Sequence, residues 1–342
     1  MPTNYALRSP IYAYATSTVT TTASAECVIT VGTAGTVVYT IVKSASANTT
    51  VNFEIAELLR DYLEISYVLT PQKITFTSTI QFFDLPNAEG TAQATPIATT
   101  SGDGWEAYGL FTDGVNPTLP FENVQRPAWL IAEDNPTASG NDRYVIYVPN
   151  NVGGKIAWIA YDGTVAAADY TSTDTAIQPS GALRLNIQRI DCTKYGDGRM
   201  ISFINKFGVI QDLWFFLKRV KNINRTNESY QSNTLSFDPL GVQPPNYSQT
   251  NAPRKLFNTQ AKQTHTLSSG YYPESANLFF EDLMLSEYIW YTRPDDTQPN
   301  TEEAIPVIVN TSSMVYKTSL NDRLIEYTIV FEDAFDYINN IR

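Results

Sequence analysis

Cysteine and histidine are scarce in this sequence: its 342 residues contain two cysteines and one histidine. Cys27 and Cys192 are too few and too far apart for a disulfide framework, and we interpret both as small buried hydrophobic residues. Together with one histidine they supply too few ligands for zinc. His265 lies in the polar stretch KQTHTLSSG, and no nucleophile-elbow motif occurs in the chain. We therefore predict a surface or strand-edge histidine without a catalytic role.

Positive charge is also in short supply. The 23 Lys and Arg residues are outnumbered by 35 Asp and Glu residues, which gives a formal net charge of −12 and an isoelectric point near 4.6. A general nucleic-acid-binding protein needs a basic face that releases counterions from phosphates. The charge balance therefore argues against nucleic acid as a partner.

Long apolar runs and cofactor motifs are missing as well. No run of 18 apolar residues occurs, and the first 19 residues lack a basic segment followed by an apolar core, so we expect neither a membrane span nor a signal peptide. We expect the chain to be made and folded in a cytoplasm. Gly153-Gly154-Lys155 lacks the spacing of a phosphate-binding loop, and the Asp-Gly pairs indicate hairpin turns rather than calcium loops. We predict no cofactor and no metal.

Sheet-forming residues are abundant instead. Aromatic residues make up 12% of the chain, with 21 Tyr and 16 Phe, and Thr, Val and Ile are plentiful. This composition favours β structure, and we predict a mainly β protein with β-sandwich domains, a few short helices and a small C-terminal α+β unit. The segment 74–83, ITFTSTIQFF, alternates like a half-buried antiparallel strand. The segment 53–64 has helical periodicity, with Asn52 as its N-cap.

Changes in composition divide the chain into four parts. We predict an N-terminal β-rich domain over 1–97 that contains the helix 53–64, and a β-sandwich over 98–222 with strands at 105–111, 128–132, 144–148, 155–161 and 183–190. The segment 223–263 is rich in Asn, Gln, Ser, Thr and Pro and has few residues that would anchor a core. It is either a flexible linker or an extended arm that lies on a neighbouring subunit, and its scattered apolar residues favour the arm. The C-terminal α+β domain occupies 264–342.

The most distinctive stretch is a predicted hairpin over 199–220. Residues 200–204 and 209–220 form strands, and the turn 205–208 ends in Gly208, which is free to adopt positive φ. In 213–217 apolar residues point to both faces of the strand, so both faces must be covered, inside a sandwich or by another chain.

Candidate interface residues follow from this excess of apolar surface. The positive cluster beside it favours a solvated strand end that blunts aggregation, with a protein interface as the first alternative and nucleic-acid contact, disfavoured by the acidic chain, as the second. The cluster consists of Lys218, Arg219, Lys221 and Arg225. The candidate interface residues are Leu213, Trp214, Phe215, Phe216 and Leu217, together with the arm residues Phe237, Tyr247 and Phe257.

A family resemblance is carried by seven segments of sheet and helix framework. In chain order they are LRSPIYA, VYTIVK, VNFEIAELLRDYL, ISFINKFGVIQDLWFFLK, MLSEYIW, IPVIVNTSSMVYK and RLIEYTIVFEDAFDYINNIR. In these segments the sequence resembles virion structural proteins of tailed bacteriophages. The resemblance implies a non-enzymatic component of the virion, in the tail, baseplate or neck, that contacts copies of itself and other virion proteins.

Two other functions stay open at this point. A host-recognition protein would bind surface glycans by stacking them on aromatic rings, for which Trp105, Tyr108, Trp129 and Tyr161 are the candidates. A glycan hydrolase would need a pair of carboxylates across a cleft, and Glu106 is one candidate for such a pair.

Overall fold

The computed structural model describes residues 3–32, 35–67, 72–93, 98–119, 143–149, 154–159, 165–170, 175–177, 184–190, 198–294, 302–315 and 324–338. Strands dominate these ranges, and the two α-helices in them are short. The prediction of a mainly β, sandwich-like protein is therefore confirmed. The predicted strand Ala128–Ala132 falls outside the described residues.

The N-terminal part is a sheet covered on one face by a two-stranded ribbon and a short helix. The five-stranded sheet has the order β1-β7-β6-β3-β4, and β2 pairs with β5 in the ribbon. Alanines and Phe53 of the ribbon share one core cluster with Phe76 and Phe82 of the sheet, so the two layers pack face to face. The elements are β1 (Thr3–Ala6), β2 (Tyr12–Thr16), β3 (Ser24–Val31), β4 (Thr36–Ser44), β5 (Thr50–Glu54), α1 (Ala56–Arg60), β6 (Lys73–Phe83) and β7 (Ala98–Trp105).

Strand β6 has the half-buried alternation predicted for 74–83. Ile74, Phe76, Ser78, Ile80 and Phe82 are buried, and the residues between them are partly exposed. It pairs antiparallel with β3 on one side and with β7 on the other. This prediction is confirmed because the alternation of the residues matches the two-residue period of a strand with one covered face.

The helix predicted over 53–64 is much shorter in the structure. Residues 50–54 form β5 and pair with β2, and α1 spans Ala56–Arg60 with Ile55, not Asn52, at its N-cap. Phe53 is buried within the ribbon layer, whereas Tyr62 is exposed. Pairing with β2 and burial of Phe53 outweigh the local helical periodicity, which is a weak preference.

The middle strands are described by their backbone pairing. They are β8 (Arg143–Pro149), β9 (Gly154–Ile159), β10 (Val165–Tyr170), β11 (Thr175–Ile177) and β12 (Arg184–Ile190). β9 and β10 form an antiparallel hairpin, while β12 pairs parallel with β8 and antiparallel with β11. Strands β8, β9 and β12 overlap the predicted strands at 144–148, 155–161 and 183–190.

The C-terminal part is a seven-stranded sheet with a helix on one face. The sheet order is β14-β13-β20-β21-β23-β18-β15. Helix α2 places Phe280 and Leu283 in the same core cluster as Phe215 and Phe331 of the sheet. The elements are β13 (Arg199–Ile204), β14 (Ile210–Phe215), β15 (Arg219–Gln231), β16 (Leu235–Ser236), β17 (Asn246–Tyr247), β18 (Arg254–Ser268), β19 (Tyr272–Pro273), α2 (Asn277–Leu285), β20 (Ile289–Pro294), β21 (Glu302–Val309), β22 (Leu324–Ile325) and β23 (Thr328–Asp333).

Two predicted domain limits do not coincide with sheet limits. Strand β7 lies beyond position 97 but pairs with β6 in the N-terminal sheet, and it ends at Trp105 where a strand 105–111 was expected to begin. The hairpin β13–β14 lies before position 222 but pairs through β13 with β20 in the C-terminal sheet. The hairpin itself is confirmed, although its second strand ends at Phe215 rather than at 220.

The hairpin turn is fixed by Asn205 and Gly208. The Asn205 carboxamide oxygen accepts the backbone N–H of Phe207 at 3.0 Å, and Gly208 has φ +82°. A Cβ at position 208 would lie 3.0 Å from the Cβ of Trp105 and 3.1 Å from the backbone nitrogen of Glu106. The turn therefore requires glycine for its conformation and for its close approach to the end of β7.

Gly208→Ala should lower the free energy of unfolding by about 2–4 kcal/mol, because a left-handed residue and a close steric contact are both penalised. Gly32→Ala is the matched control, since Gly32 has φ +72° and open space around its missing Cβ. The control should lose only about 1–2 kcal/mol, the conformational part alone. Equal losses in denaturant titrations of the two variants would contradict the packing role of Gly208.

Candidate functional site

The apolar strand end 213–217 is covered within the chain itself. Leu213, Phe215 and Phe216 are buried in the C-terminal core, and Trp214 packs partly buried against it. The chain leaves the sheet after Phe215, so Phe216 turns inward and its ring lies 5.6 Å from that of Tyr272. The three buried side chains are therefore not available to another chain, and their assignment as interface residues is wrong. Leu217 is partly exposed.

The residues 219–263 form a protruding antiparallel β-hairpin, which we call the arm. It consists of β15, the outer part of β18 and the connecting residues between them, so its strands begin at Arg219 rather than at the predicted 223. At its base β18 pairs with β23 through 264–268, whereas residues 254–263 have β15 as their ladder partner in the described part of the chain. The Ala261 carbonyl oxygen accepts the backbone N–H of Tyr337 at 2.9 Å, so the overhang consists of the residues 254–260 and corresponds to about 23 Å.

The arm displays its apolar side chains to solvent. Phe237, Leu240 and Val242 at its tip are 63%, 85% and 80% exposed. Burying one such side chain completely is worth about 1.5–3 kcal/mol. Further exposed apolar residues along the arm are Ile223, Tyr230, Leu235, Tyr247, Leu256 and Phe257. The predicted interface residues Phe237, Tyr247 and Phe257 therefore lie together on one protruding element.

Asp238 organises the tip. Its carboxylate accepts the backbone N–H groups of Leu240, Val242 and Gln243 at 3.0–3.1 Å. These bonds lower the pKa of Asp238, because they favour the ionised carboxylate. Leu235 and Tyr247 face each other in the short ladder β16–β17 below this loop. These hydrogen bonds hold the backbone of the tip loop, and with it the apolar side chains of the tip, in a defined arrangement.

A β-bulge divides the arm into an inner and an outer half. The register shifts between Thr226 and Glu228 of β15, and Asn258 of β18 adopts φ 49°. Because β18 has one extra residue here, Phe257 lies on the same face as Tyr230, and the two rings are 5.7 Å apart in a T-shaped arrangement. Periodicity alone would place Phe257 on the opposite face, with Ala261 and His265.

The positive cluster lies on the open edge of the seven-stranded sheet. β15 is the last strand in the sheet order, and Arg219, Lys221 and Arg225 share one face of it, exposed to solvent. Lysine and arginine on an edge strand disfavour unwanted strand pairing. The position of the cluster fits the interpretation as a protected strand end, and it also gives the inner half of the arm a positive face.

His265 anchors the base of the arm and is not a surface residue. It lies on β18 between β15 and β23, its Nε2 is 3.0 Å from Asp333 Oδ1, and its ring stacks on Tyr291 at 4.9 Å. Both His265 and Asp333 are buried. The predicted surface or strand-edge location is therefore wrong, because a polar local sequence does not reveal that neighbouring strands flank β18 on both sides.

A network of ion pairs, buried at Glu106 and partly exposed at Arg60 and Glu287, joins the N-terminal and C-terminal parts of the fold. Arg60 of α1 donates from Nε to Glu106 at 2.9 Å and also contacts Glu287, which follows α2. Arg8 contacts Glu287 at 3.1 Å. The hydrogen bonds of Arg60 to Glu106 and to Glu287 raise the pKa of Arg60. Glu106, the candidate carboxylate of a hydrolase, is thus buried in an ion pair that connects two parts of the fold.

The aromatic candidates for glycan stacking are also engaged in packing. Trp105 is buried and donates from Nε1 to Asn4 at 2.9 Å. Tyr108 is half-buried and its hydroxyl donates to Asp282 Oδ1 at 2.8 Å, while the Arg8 guanidinium lies over its ring. Trp129 and Tyr161 lie outside the described residues. The buried face of Trp105 leaves no platform for a sugar ring there.

The environment of Asp282 changes the pKa of its carboxyl group. It lies on α2, and its carboxylate accepts the Tyr108 hydroxyl and, at 2.7 Å, the backbone N–H of Lys206. Burial raises its pKa to about 6, because removal from water penalises the charged form more than these two bonds favour it. This group was not singled out by the sequence, since its environment comes from three separate segments.

Among the described residues, no group of three or more His, Cys, Asp or Glu side chains is placed to hold a metal ion. No helix in the same ranges has the length and apolarity to cross a membrane.

Asp282 makes stability depend on pH. A raised carboxyl pKa means that the folded state binds the proton more tightly than the unfolded state, so its stabilising effect is present at low pH and is lost as pH rises through about 6. From pH 7 to pH 5 the wild type should gain about 1.4 kcal/mol of unfolding free energy relative to Asp282→Asn, in which this site does not titrate.

Tyr108→Phe is the matched control for this measurement. It keeps the carboxyl and removes a donor that lowers its pKa, so the gain on acidification should persist or increase. Parallel pH profiles of unfolding free energy for the wild type and Asp282→Asn would contradict the assignment.

Comparisons with protein-family models, with curated proteins and with solved structures found no match to this chain.

Proposed function

We propose that this protein is a structural component of a tailed bacteriophage virion, in the tail or baseplate, and that it acts through contacts between subunits of a multimeric assembly. Its partners in this proposal are further copies of itself and other virion proteins. The arm is the observation that carries the proposal, and the resemblance of the framework segments supplies the virion context.

The arm supports a role in assembly for an energetic reason. A two-stranded ribbon is marginally stable in water when no further layer covers it. Yet the arm extends about 23 Å beyond the contact between Ala261 and Tyr337 and presents Phe237, Leu240 and Val242 at its end. Isolated exposed apolar residues are ordinary, but a cluster at the tip of a protruding element is typical of an interaction site. A neighbouring subunit would provide the missing layer.

The burial of Glu106 and Trp105 favours a role in assembly over glycan hydrolysis and over glycan binding. Glu106 is paired with Arg60 across the junction of the two sheets, which suits a structural carboxylate better than a hydrolytic one. Trp105 is buried against Asn4 rather than presented to a ligand. The geometry therefore favours assembly over glycan binding or cleavage.

Phe237→Ser combined with Leu240→Ser should weaken self-association at least about 100-fold, because two apolar side chains of about 1.5–3 kcal/mol each lose their burial. The matched control is Leu110→Ser combined with Phe111→Ser, which removes one exposed leucine and one exposed phenylalanine outside the arm. The control should associate like the wild type. Sedimentation velocity across a concentration series measures the difference.

Two results would count against the proposal. One is equal association of the arm variant and the wild type. The other is normal particles built with a chain in which an Asn-Gly turn joins the opposed residues Gln231 and Arg254 and replaces the tip.

A further inference from the structure

Charge is unevenly distributed between the arm and the rest of the chain. Residues 219–263 contain six Lys or Arg and two Asp or Glu, which is a formal charge of +4. The remaining residues contain 17 Lys or Arg and 33 Asp or Glu, a charge of −16 within the total of −12. The arm is therefore attracted to the body of another copy, while two arms of the same sign repel each other.

One region of the body offers both acidic and apolar groups to such an arm. Strand β4 is the last strand of the five-stranded sheet, and β3 is its ladder partner in the described part of the chain. Its outer edge therefore presents backbone groups that can pair with an added strand. Val37 and Val42 of β4 are exposed, and their pairing with Thr30 and Glu26 places them on the sheet face opposite to that of Tyr39, which pairs with the buried Ile29.

The segment that begins with α1 and continues to residue 64 places the Asp61 carboxylate beside this edge. The Tyr39 hydroxyl of β4 donates to Asp61 at 3.2 Å, and the Tyr39 ring meets the Tyr62 ring edge to face at 5.7 Å. Glu57, Asp61 and Glu64 are all exposed. We call this region the acceptor surface. It surrounds the edge of β4, with Glu57, Asp61, Tyr62 and Glu64 on the side of Tyr39 and with Val37 and Val42 on the other sheet face.

The acceptor surface and the arm complement each other in two respects. The carboxylates of the acceptor surface are opposite in charge to the arm face that carries Arg219, Lys221 and Arg225. The valines and Tyr62 of the acceptor surface are exposed, as are the apolar residues of the arm. β4 carries a single charged residue, Lys43, whose Nζ donates to the Asn52 carbonyl oxygen at 2.7 Å, so its edge is less protected by charge than that of β15.

We propose that the arm of one copy docks on the acceptor surface of a second copy. This inference rests on the proposed assembly function and names its receiving surface. Because donor and acceptor are different surfaces of the same chain, the contact is heterologous, and a pair of copies keeps one free arm and one free acceptor surface. Repetition of the contact builds a ring where the rotation closes and a filament where it does not.

Charge reversal in two separate variants tests the pairing. Lys221→Glu with Arg225→Glu takes the formal charge of the arm from +4 to 0 and makes the face that also carries Arg219 net negative, and Glu57→Lys with Glu64→Lys makes the acceptor surface basic. Each variant alone should associate at least about tenfold more weakly than the wild type, because like charges then face each other in every contact. An equimolar mixture should recover association, since the basic arm of one variant fits the acidic acceptor of the other, and the acidic arm fits the basic acceptor.

A matched control changes the same net charge elsewhere. Glu89→Lys with Glu274→Lys reverses two exposed carboxylates outside the acceptor surface and should associate like the wild type. The wild-type contact should also weaken when salt is raised, as a contact between exposed charges does. Circular dichroism of each variant verifies that the sheets are intact before association is measured.

The outcomes separate this inference from the proposed function. Loss of association in the serine variant of the tip, with normal association of Glu57→Lys/Glu64→Lys, overturns the acceptor surface and keeps the assembly role. Failure of the mixture to recover association also overturns the acceptor surface. A wild-type chain that stays monomeric up to about 100 µM overturns both, because a second copy is the stated occupant.

Discussion

The packing of α2 and the strand end 213–216 against the seven-stranded sheet is the constraint on which the rest of the structure depends. Phe215 meets Phe280 and Phe331 in T-shaped contacts at 6.2 and 5.7 Å, and Tyr272 meets Phe280 at 5.3 Å. This aromatic cluster fixes β14, β23 and α2 relative to one another. It also fixes β18, because β23 is the ladder partner that holds the base of the arm.

The molecule consequently combines a well-covered body with an exposed extension. In the body, polar groups at the junction are satisfied by ion pairs and hydrogen bonds, such as those of Arg60 and Asp282. The base of the arm is covered, since Ala261 and Gln263 are buried, whereas farther out the order of the arm relies on the ladder, the bulge and the Asp238 loop. Stability is therefore expected to decrease from the sheet toward the tip, as local unfolding generally follows the density of buried contacts.

Sequence reasoning succeeded where the signal is local. The alternation of 74–83 and the turn chemistry of Asn205 and Gly208 identified a strand and a hairpin, because each depends on residues close together in the chain. Sequence reasoning failed where contacts between segments far apart in the chain determine strand pairing and burial. Phe53 joins a strand through pairing with β2, His265 is buried by flanking strands, and Phe216 is covered by Tyr272. The arm was expected from composition, but its ribbon geometry and its bulge at Asn258 follow from long-range pairing.

The bulge at Asn258 separates two kinds of sequence constraint along one hairpin. On the side of the bulge toward the base of the hairpin, the face of β18 that carries His265 and Leu267 belongs to the core. Substitutions on this face therefore disturb the fold. Beyond the bulge the parity of β18 is reversed, and Phe257 and Tyr230 face away from that core side. Substitutions in the outer half therefore leave the hydrophobic interior undisturbed, so this half of the hairpin tolerates more sequence change than its base.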